Sequence, residues 1–198
     1  MTLAAAGVRA RHTLLRRLWH VAGGLLLLAP YASGTVGRRT YALVLALLLL
    51  GLLAVDLVRL RHPRTNELFV RTLSGLLLPR DLRGLNGTTY FAAGILLAVL
   101  LLPRLPAIVS VLFLVLGDIA AGVVGRAWGR TRFKPGGKSL EGSLACFVVC
   151  LAVATPLVGW LAAAGGALAA ALVEYAEVPL DDNLLIPPVS GAVLLWLS

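Results

Sequence analysis

One stretch of the chain places potential catalytic groups at the end of an apolar run. Residues 117–143 read GDIAAGVVGRAWGRTRFKPGGKSLEGS, with Asp118 near the start and Glu141 near the end. The preceding residues, AIVSVLFLVLG, are apolar enough to lie in lipid. An ionisable residue at such a position is costly and by default indicates a functional site. A carboxylate followed by several cations is suited to bind a divalent metal together with phosphate groups.

Glycines follow Asp118 at helical spacing. On an α-helix Asp118, Gly122, Gly125 and Gly129 share one face, with a carboxylate above a groove that has no side chains. Such a groove lets backbone approach a ligand, and it equally lets two membrane helices pack closely. Ser139 is placed to cap the next helix, whose first N–H groups attract anions. The cations of this stretch either contact phosphate or reflect membrane topology alone: they are Arg126, Arg130, Arg132, Lys134 and Lys138.

The letters GGKS at 136–139 do not form a nucleotide-binding P-loop. That motif requires a glycine at position 132, where this chain has Arg132. It also requires a preceding strand, whereas an apolar helix is expected here. We therefore exclude a P-loop.

Two further groups of residues could do chemistry. The segment EYAEVPLDDNLLIPP (174–188) holds four acids and an amide, which repel one another unless a cation joins them, so we expect a metal or nucleotide contact. The alternative is a solvated turn in which Asp182 or Asn183 caps the last helix. In RRLWHVAGG (16–24), Arg16, His20 and Gly23 share a helical face, and a histidine there is either a site residue or an interfacial anchor.

The bulk composition indicates an integral membrane protein. Of 198 residues, 59% are hydrophobic and only 14% are charged, and the net charge is +9, whereas about a quarter of residues are charged in soluble domains. The mean hydropathy is +0.91. Basic gaps between apolar runs favour contact with anionic headgroups over nucleic-acid binding. Cys146 and Cys150 lie four residues apart in an apolar run, so they predict small buried residues rather than a disulfide.

The apolar runs predict an all-α, polytopic bundle in a single domain, residues 1–198. A transmembrane helix needs roughly 20 residues, and about seven spans are expected, with six or eight as alternatives. The charged segment 61–84 predicts a cytoplasmic connector that is partly an interfacial amphipathic helix. Segments 126–141 and 174–183 predict a phosphate and metal loop and an acidic loop. The runs are 18–32, 41–58, 88–102, 105–125, 142–158, 160–176 and 184–198.

The positions of the charges predict the orientation. With a cytoplasmic N-terminus, every Lys and Arg except Arg38, Arg39 and Arg104 falls on the cytoplasmic side, as the positive-inside rule requires. All nine acids lie at or near the same ends. The active site is therefore expected on the cytoplasmic face. A cleaved signal peptide is disfavoured because Trp19 and His20 interrupt the first apolar core.

The motifs together resemble a known family. GD-x-x-A-x-x-x-G-x-x-x-G, KSLEGSLACF and E…DDNLLIPPVSG are similar to the CTP-dependent lipid kinases, which include dolichol, phytol and farnesol kinases and a CTP-using diacylglycerol kinase. Arg17 and His20 resemble that family's R-K-x-x-H element, although Arg16-Arg17 stands where Arg-Lys is usual. Gly87 and Tyr90 resemble its G-x-x-Y span start. The resemblance implies phosphoryl transfer from CTP, with Mg²⁺ or another divalent cation, to the hydroxyl of a membrane lipid.

The resemblance also implies roles for individual residues. Asp118, Lys138, Glu141 and His20 are expected to be catalytic, with Asp118 or His20 as the acceptor of the hydroxyl proton. The metal set is Asp118, Glu141, Asp182 and Glu174. The lipid set is Arg17, His20, Gly87 and Tyr90. The nucleotide and phosphate set is Gly122, Gly125, Gly129, Arg126, Lys138, Ser139 and Asn183.

Two other functions compete with a kinase. A phosphatidate cytidylyltransferase also uses CTP in a membrane, but this chain ends in DDNLLIPP rather than in that enzyme's D-R type motif. A small ion-coupled transporter would place polar residues deep in several spans, whereas the charges here gather at one face. The expected location is the cell or inner membrane if the source is prokaryotic. The sequence leaves open the lipid alcohol, the general base, the number of metal ions and the oligomeric state.

Overall fold

A computed structural model describes residues 3–73, 77, 79–82, 84–132, 134, 137–176 and 179–198. Within these ranges the chain is all-α, without a strand, as predicted. Two turns of other helical types accompany the α-helices. A π-helical turn, Phe113–Gly117, joins α5 to α6, and a 3₁₀ turn covers Pro79–Leu82. The helices are α1 Leu3–Ala32, α2 Arg38–Arg61, α3 Pro63–Leu73, α4 Gly87–Leu101, α5 Arg104–Leu112, α6 Asp118–Ala127, α7 Leu140–Val158, α8 Trp160–Tyr175 and α9 Asp182–Leu197.

Three described helices are long and apolar enough to cross a membrane. They are Arg38–Arg61, Leu140–Val158 and the continuous helix Arg104–Ala127, which contains the π turn. Three shorter apolar helices accompany them: Gly87–Leu101, Trp160–Tyr175 and Asp182–Leu197. A helical membrane protein is thereby supported, while the total of about seven spans stays a prediction.

Contacts between helix ends show that α2 runs antiparallel to α4, and α5 antiparallel to α1. Arg38, at the start of α2, donates to the carbonyl oxygens of Val99 and Leu100 at the end of α4. Arg104, at the start of α5, donates to the carbonyl oxygens of Tyr31 and Ala32 at the end of α1. We call this the arginine-capped end. The opposite end, which we call the charged end, holds Asp118, Lys138, Glu174 and Asp182.

Small residues let α8 pack between α7 and α9. Ala163, Ala167 and Ala170 of α8 are fully buried, and a Cβ at Gly166 would lie 2.6 Å from the Leu194 side chain of α9. Helices in membranes associate through such small residues because backbones can then approach closely. The close packing places the end of α8 beside the start of α9, where the acidic residues lie.

The connector 61–84 contains the predicted helix, α3, whose position at a membrane surface stays a prediction. It is fastened to α2 by Arg59, which is 1% exposed. The Arg59 guanidinium donates to Asp56 Oδ1 at 2.7 Å, to Asn66 Oδ1 at 3.1 Å and to the carbonyl oxygen of Asp81 at 2.9 Å. The third nitrogen, Nη2, donates to the Gly84 carbonyl oxygen at 2.6 Å. Each guanidinium nitrogen of Arg59 therefore donates a hydrogen bond.

The expectation that Gly129 shares a helical face with Asp118 is wrong. Helix α6 ends at Ala127, so Gly129 lies beyond it and does not continue the face that carries Asp118, Gly122 and Gly125. The helix ends there because the backbone of Trp128 leaves the helical region, with φ −131° and ψ 0°.

Candidate active site

Three carboxylates from three helices converge at the charged end. Asp118 begins α6, Glu174 lies in the last turn of α8 and Asp182 begins α9. One oxygen from each can be chosen so that all lie within 4.8 Å of one another. Carboxylate oxygens are the ligands that Mg²⁺ and Ca²⁺ prefer. The described residues therefore include a set of donors that fits a hard divalent cation.

Lys138 lies among these carboxylates. Its Nζ donates to Glu174 Oε2 at 2.8 Å and to Asp182 Oδ2 at 2.7 Å. Burial by itself would lower the pKa of Lys138, but the negative charges of Glu174 and Asp182 outweigh it and raise that pKa. The lysine is therefore charged at neutral pH. The three carboxylates lie close enough together to share a divalent cation as well.

The π turn Phe113–Gly117 positions Asp118. A π turn inserts one extra residue into a helix and often occurs at functional sites. Its last residue, Gly117, packs against two thiols of α7: a Cβ there would lie 2.6 Å from Cys150 Sγ and 2.9 Å from Cys146 Sγ. Both cysteines are free and buried, as predicted. Only glycine fits against these thiols, so the residue before Asp118 is held close to α7.

Ser139 begins α7 as the predicted N-cap. Its Oγ accepts a hydrogen bond from the backbone N–H of Gly142 at 3.1 Å. The same oxygen would lie 2.8 Å from a Cβ at Gly125 and 2.5 Å from one at Gly129. Gly125 and Gly129 thus make room for Ser139. Of the two uses expected for the glycine groove, ligand approach and close helix packing, these two glycines serve packing.

The loop between α6 and α7 is held by its own side chains. Arg132 donates to the carbonyl oxygen of Gly125 at 2.6 Å and also to that of Gly137. Glu141 Oε1 accepts from the backbone N–H of Thr131 at 2.9 Å. In this arrangement Glu141 stabilises the loop and lies outside the group of three carboxylates.

Gly122 is the glycine that lies beside cations. Arg17 Nη2 donates to the Gly122 carbonyl oxygen at 2.5 Å, and a Cβ at Gly122 would lie 3.0 Å from Arg126 Nη2. The charges of Arg17 and Asp118 also interact. Two guanidinium groups from α1 and α6 therefore flank the helix face next to Asp118.

His20 connects α1 to the start of α9. Its Nε2 lies 3.0 Å from Asn183 Oδ1, and the Asn183 Nδ2 donates to Asp181 Oδ1 at 2.7 Å. The ring of His20 meets the edge of Phe91 in α4, with 4.8 Å between ring centroids. The structure thus brings the sequence-predicted His20 and Asn183 into direct contact.

Two of the four expected lipid contacts lie at the start of α4. Gly87 is its first residue and Tyr90 is one turn further on, so a helix begins where the resemblance places it, and its role as a span stays a prediction. Asn86 caps this helix by accepting from the backbone N–H of Thr88 at 2.8 Å. The helix also crosses close to α9, because a Cβ at Gly94 would lie 2.1 Å from the carbonyl oxygen of Asn183.

Sequence reasoning missed four residues that shape the site. Gly94 and Gly117 are isolated glycines within apolar runs, which is a sequence signal for close backbone approach. Phe91 gave no comparable signal, because its partner His20 is distant in sequence, and Asp181 was expected only as one of the acids of segment 174–188. Glu177, the other acid of the acidic loop, lies outside the described residues.

Three curated proteins with similar sequences carry one shared name. The chain is 29% identical to CTP-dependent diacylglycerol kinase 1 of Saccharomyces cerevisiae over 70% of its length and 48% of that protein. It is 32% identical to the protein of that name in Eremothecium gossypii, over 70% of its length and 44% of that protein. The Schizosaccharomyces pombe protein is 30% identical, over 70% of this chain and 72% of its own length.

The match is partial in extent. The chain spans less than half the length of the first two relatives and about three quarters of the third. No protein-family model matches the chain. No solved structure matches it either.

Proposed function

This chain belongs to the CTP-dependent lipid kinase family, and we propose that it transfers the γ-phosphate of CTP to the hydroxyl of diacylglycerol. The group of three carboxylates around Lys138 carries the proposal, because phosphoryl transfer depends on positioning and charge neutralisation. The names of the relatives support CTP as donor and diacylglycerol as acceptor. Isoprenoid alcohols are the second acceptor class, supported by the motif resemblance.

In this function Asp118, Glu174 and Asp182 would hold Mg²⁺ or another divalent cation. Their oxygen donors fit a hard cation, and the Lys138 ammonium already contacts two of them, Glu174 and Asp182. When bound, the cation neutralises charge on the nucleotide phosphates. Lys138 would exchange one carboxylate contact for a phosphate oxygen, since an ammonium can turn its three donors independently.

The remaining phosphate contacts would come from α6 and the start of α7. Arg126 and Arg17 beside Gly122 present guanidinium groups, which bind phosphate in a bidentate manner. Ser139 begins a helix of 19 residues whose N-terminus favours an anion. Gly125 and Gly129 would let Ser139 and the start of α7 lie close to α6, and Glu141 would keep the loop in place through Thr131.

The lipid hydroxyl would reach the site from the side of α1 and α4. His20 and Arg17 from α1, and Gly87 and Tyr90 from α4, would contact its polar end. The acyl chains would stay between the helices and in the bilayer, with only the hydroxyl at the charged end.

We further propose seven membrane spans with a cytoplasmic N-terminus and a cytoplasmic active site. The distribution of Lys and Arg supports this orientation, because Arg38, Arg39 and Arg104 alone fall at the other side. The antiparallel directions of α2 and α4, and of α5 and α1, are compatible with it. Cysteine labelling of single-cysteine variants at residue 35 and residue 130, with a membrane-impermeant reagent on intact cells, tests the orientation.

The test of function uses purified protein in detergent with Mg²⁺ and either γ-labelled CTP or γ-labelled ATP. Diacylglycerol, farnesol, geranylgeraniol, phytol and a long polyprenol are offered separately. We expect label in phosphatidate with CTP and little with ATP. Label in an isoprenoid alcohol alone would keep the kinase and change its substrate.

Two outcomes would contradict the proposal. Pyrophosphate release and a CDP-lipid from phosphatidate would identify a cytidylyltransferase. Absence of transfer to every lipid, in protein shown to be folded by circular dichroism, would favour the transporter alternative, which is then tested by ion uptake into proteoliposomes.

A further inference from the structure

We propose that Asp181 and Asn183 are positioning residues that hold His20 as the Nε2–H tautomer, so that its Nδ1 accepts the proton of the lipid hydroxyl. This proposal rests on the proposed kinase function and assigns the general base in it. It also gives the Asn183 amide a role other than nucleotide contact.

The three side chains form a continuous hydrogen-bonded chain. His20 Nε2 lies 3.0 Å from Asn183 Oδ1, and Asn183 Nδ2 lies 2.7 Å from Asp181 Oδ1. Asn183 is only 2% exposed and Asp181 only 7%. Asp181 Oδ1 also accepts from the backbone N–H of Asn183 at 3.0 Å, so the carboxylate is fixed at the start of α9.

The donor and acceptor rules fix the tautomer. An ionised carboxylate only accepts hydrogen bonds, so Asp181 selects the NH₂ side of the Asn183 amide. The amide oxygen is then turned toward His20, and it can only accept. His20 Nε2 must therefore carry the proton, which in a neutral imidazole leaves the lone pair on Nδ1. Among the residues that the structure describes, Nδ1 has no hydrogen-bond partner.

His20 is better placed than the carboxylates to act as the base. Glu174 and Asp182 accept from Lys138, and Asp118 belongs with them to the set suited to a cation. Their lone pairs are thus directed at positive charge. Arg17, one turn before His20, contacts the Gly122 backbone, so this face of α1 lies beside the residues that would bind phosphate.

Phosphoryl transfer to the lipid forms one bond to phosphorus and breaks another. The lipid oxygen forms a bond to the γ-phosphorus of CTP while the bond from that phosphorus to the β-phosphate oxygen breaks, and CDP leaves. The hydroxyl proton passes to His20 Nδ1. The imidazolium that results is stabilised through Nε2–H by Asn183 and then loses the proton to solvent.

The decisive variant is Asp181→Asn, which separates positioning from structure. Asn and Asp cap helices equally well, so α9 keeps its N-cap. Asn at 181 offers both an acceptor and donors, however, so the Asn183 amide can turn and present its NH₂ group to His20. The Nδ1–H tautomer then becomes populated, and this form cannot accept the proton.

The first measurement is the nitrogen NMR spectrum of protein labelled with ¹⁵N-histidine. The chain has only three histidines, His12, His20 and His62, and the His20→Gln variant assigns the signals of His20. We expect the Nε2–H form alone in the unmodified protein and both forms in Asp181→Asn. The matched control is Glu67→Gln, the same change at a carboxylate that is 62% exposed and bonded to Arg71. It should leave the His20 signals unchanged.

The second measurement is the rate of phosphoryl transfer. His20→Gln should lower kcat at least about 100-fold, which is the usual contribution of general base catalysis. Asp181→Asn should lower kcat about tenfold, in proportion to the tautomer lost, with KM for CTP unchanged. An Asp181→Asn protein with only the Nε2–H form and full kcat would overturn the proposal. So would an Nδ1–H form in the unmodified protein.

The two measurements separate this proposal from the proposed function. Inactivity of the unmodified chain toward every lipid would overturn the kinase function and, with it, the role of Nδ1 as base. The spectra do not depend on turnover. A spectrum in which Asp181→Asn leaves the tautomer of His20 unchanged, in an active kinase, would overturn the positioning role alone.

Discussion

Among the described residues, two clusters of charged side chains differ in how far they are open to solvent and to a ligand. In the first, the Arg59 cluster (Asp56, Arg59, Asn66 and Thr89), every guanidinium nitrogen donates, and Asp56 Oδ2 accepts from the Asn86 backbone N–H and from Thr89 Oγ1. The Arg59 guanidinium also lies 4.7 Å from the centre of the Phe69 ring. In the second, the Lys138 cluster (Asp118, Lys138, Glu174 and Asp182), the ammonium donates to two of three carboxylates that lie close enough together to share a cation.

This difference separates scaffold from site. In this buried ion pair each guanidinium nitrogen and both carboxylate oxygens make hydrogen bonds within the protein, and the pair serves to join α2, the connector and α4. The Lys138 cluster brings three carboxylates within reach of one cation and stays partly open, with the Lys138 side chain 28% exposed. A cation and phosphates would bind there. Burial and charge alone therefore do not identify an active site; a set of converging ligand oxygens that solvent can reach does.

The largest expected effect is on activity in the Lys138 cluster. Asp118→Asn keeps the shape of the side chain but removes one negative charge from the proposed cation site. Transfer should fall by at least about 1,000-fold, in the range found when a group that stabilises the transition state is removed. The thermal unfolding midpoint should stay close to that of the unmodified protein, because Asn keeps the size and shape of the side chain. Lys138→Ala should also abolish transfer. An active, well-folded Asp118→Asn protein would remove the proposed ligand.

The opposite result is expected in the Arg59 cluster. Arg59→Met fills similar space but leaves Asp56 buried without its cation, which typically costs about 3–5 kcal/mol. Unfolding in detergent should therefore occur at much lower denaturant, while the folded fraction keeps its kcat. A variant with normal stability and lost transfer would show that the Arg59 cluster takes part in the reaction.

Glu174→Gln should have a smaller effect, of about 100-fold, with a higher concentration of Mg²⁺ needed for half-maximal rate. The reason is that one of three oxygen donors becomes a neutral amide. Glu177→Gln is the matched control, since it makes the same change three residues along, and we expect the weaker effect there. Equal effects of the two variants would leave the assignment of Glu174 without support.

Gly117→Ala should lower kcat about tenfold by moving Asp118. The new Cβ would lie 2.6 Å from Cys150 Sγ, so the π turn must shift away from α7. Overpacking of this kind costs about 1–3 kcal/mol. The double variant Gly117→Ala with Cys150→Ala removes the nearest sulfur and should recover much of the rate. Lack of recovery, measured beside Cys150→Ala alone, would contradict this explanation.

The sequence predicted the helical elements and the convergence of Asp118, Glu174 and Asp182. Hydropathy gave the helices, and the rule that charge gathers at one membrane face gave the acids a common end. A helical wheel could not predict the π turn or the end of α6 at Ala127, since both depend on packing against α7. Asp56 was recognised only as one of nine acids. Its side chain accepts from Thr89, which lies 33 residues further along the chain, and the sequence alone gave no sign of this contact.

The smallest expected effect concerns Ser139. This residue has either a structural role, like the Arg59 cluster, or a phosphate-binding role in the Lys138 cluster, and the two roles predict different results. If Ser139 serves only as the N-cap of α7, Ser139→Ala should cost about 1 kcal/mol of stability and leave kcat within about twofold. If its hydroxyl binds phosphate in the Lys138 cluster, KM for CTP should rise at least about fivefold at equal stability. Its Oγ is buried, contacts the Gly142 N–H and packs against Gly125 and Gly129. These contacts use the hydroxyl within the protein, so we expect the first outcome, which unfolding curves and a CTP titration together would measure.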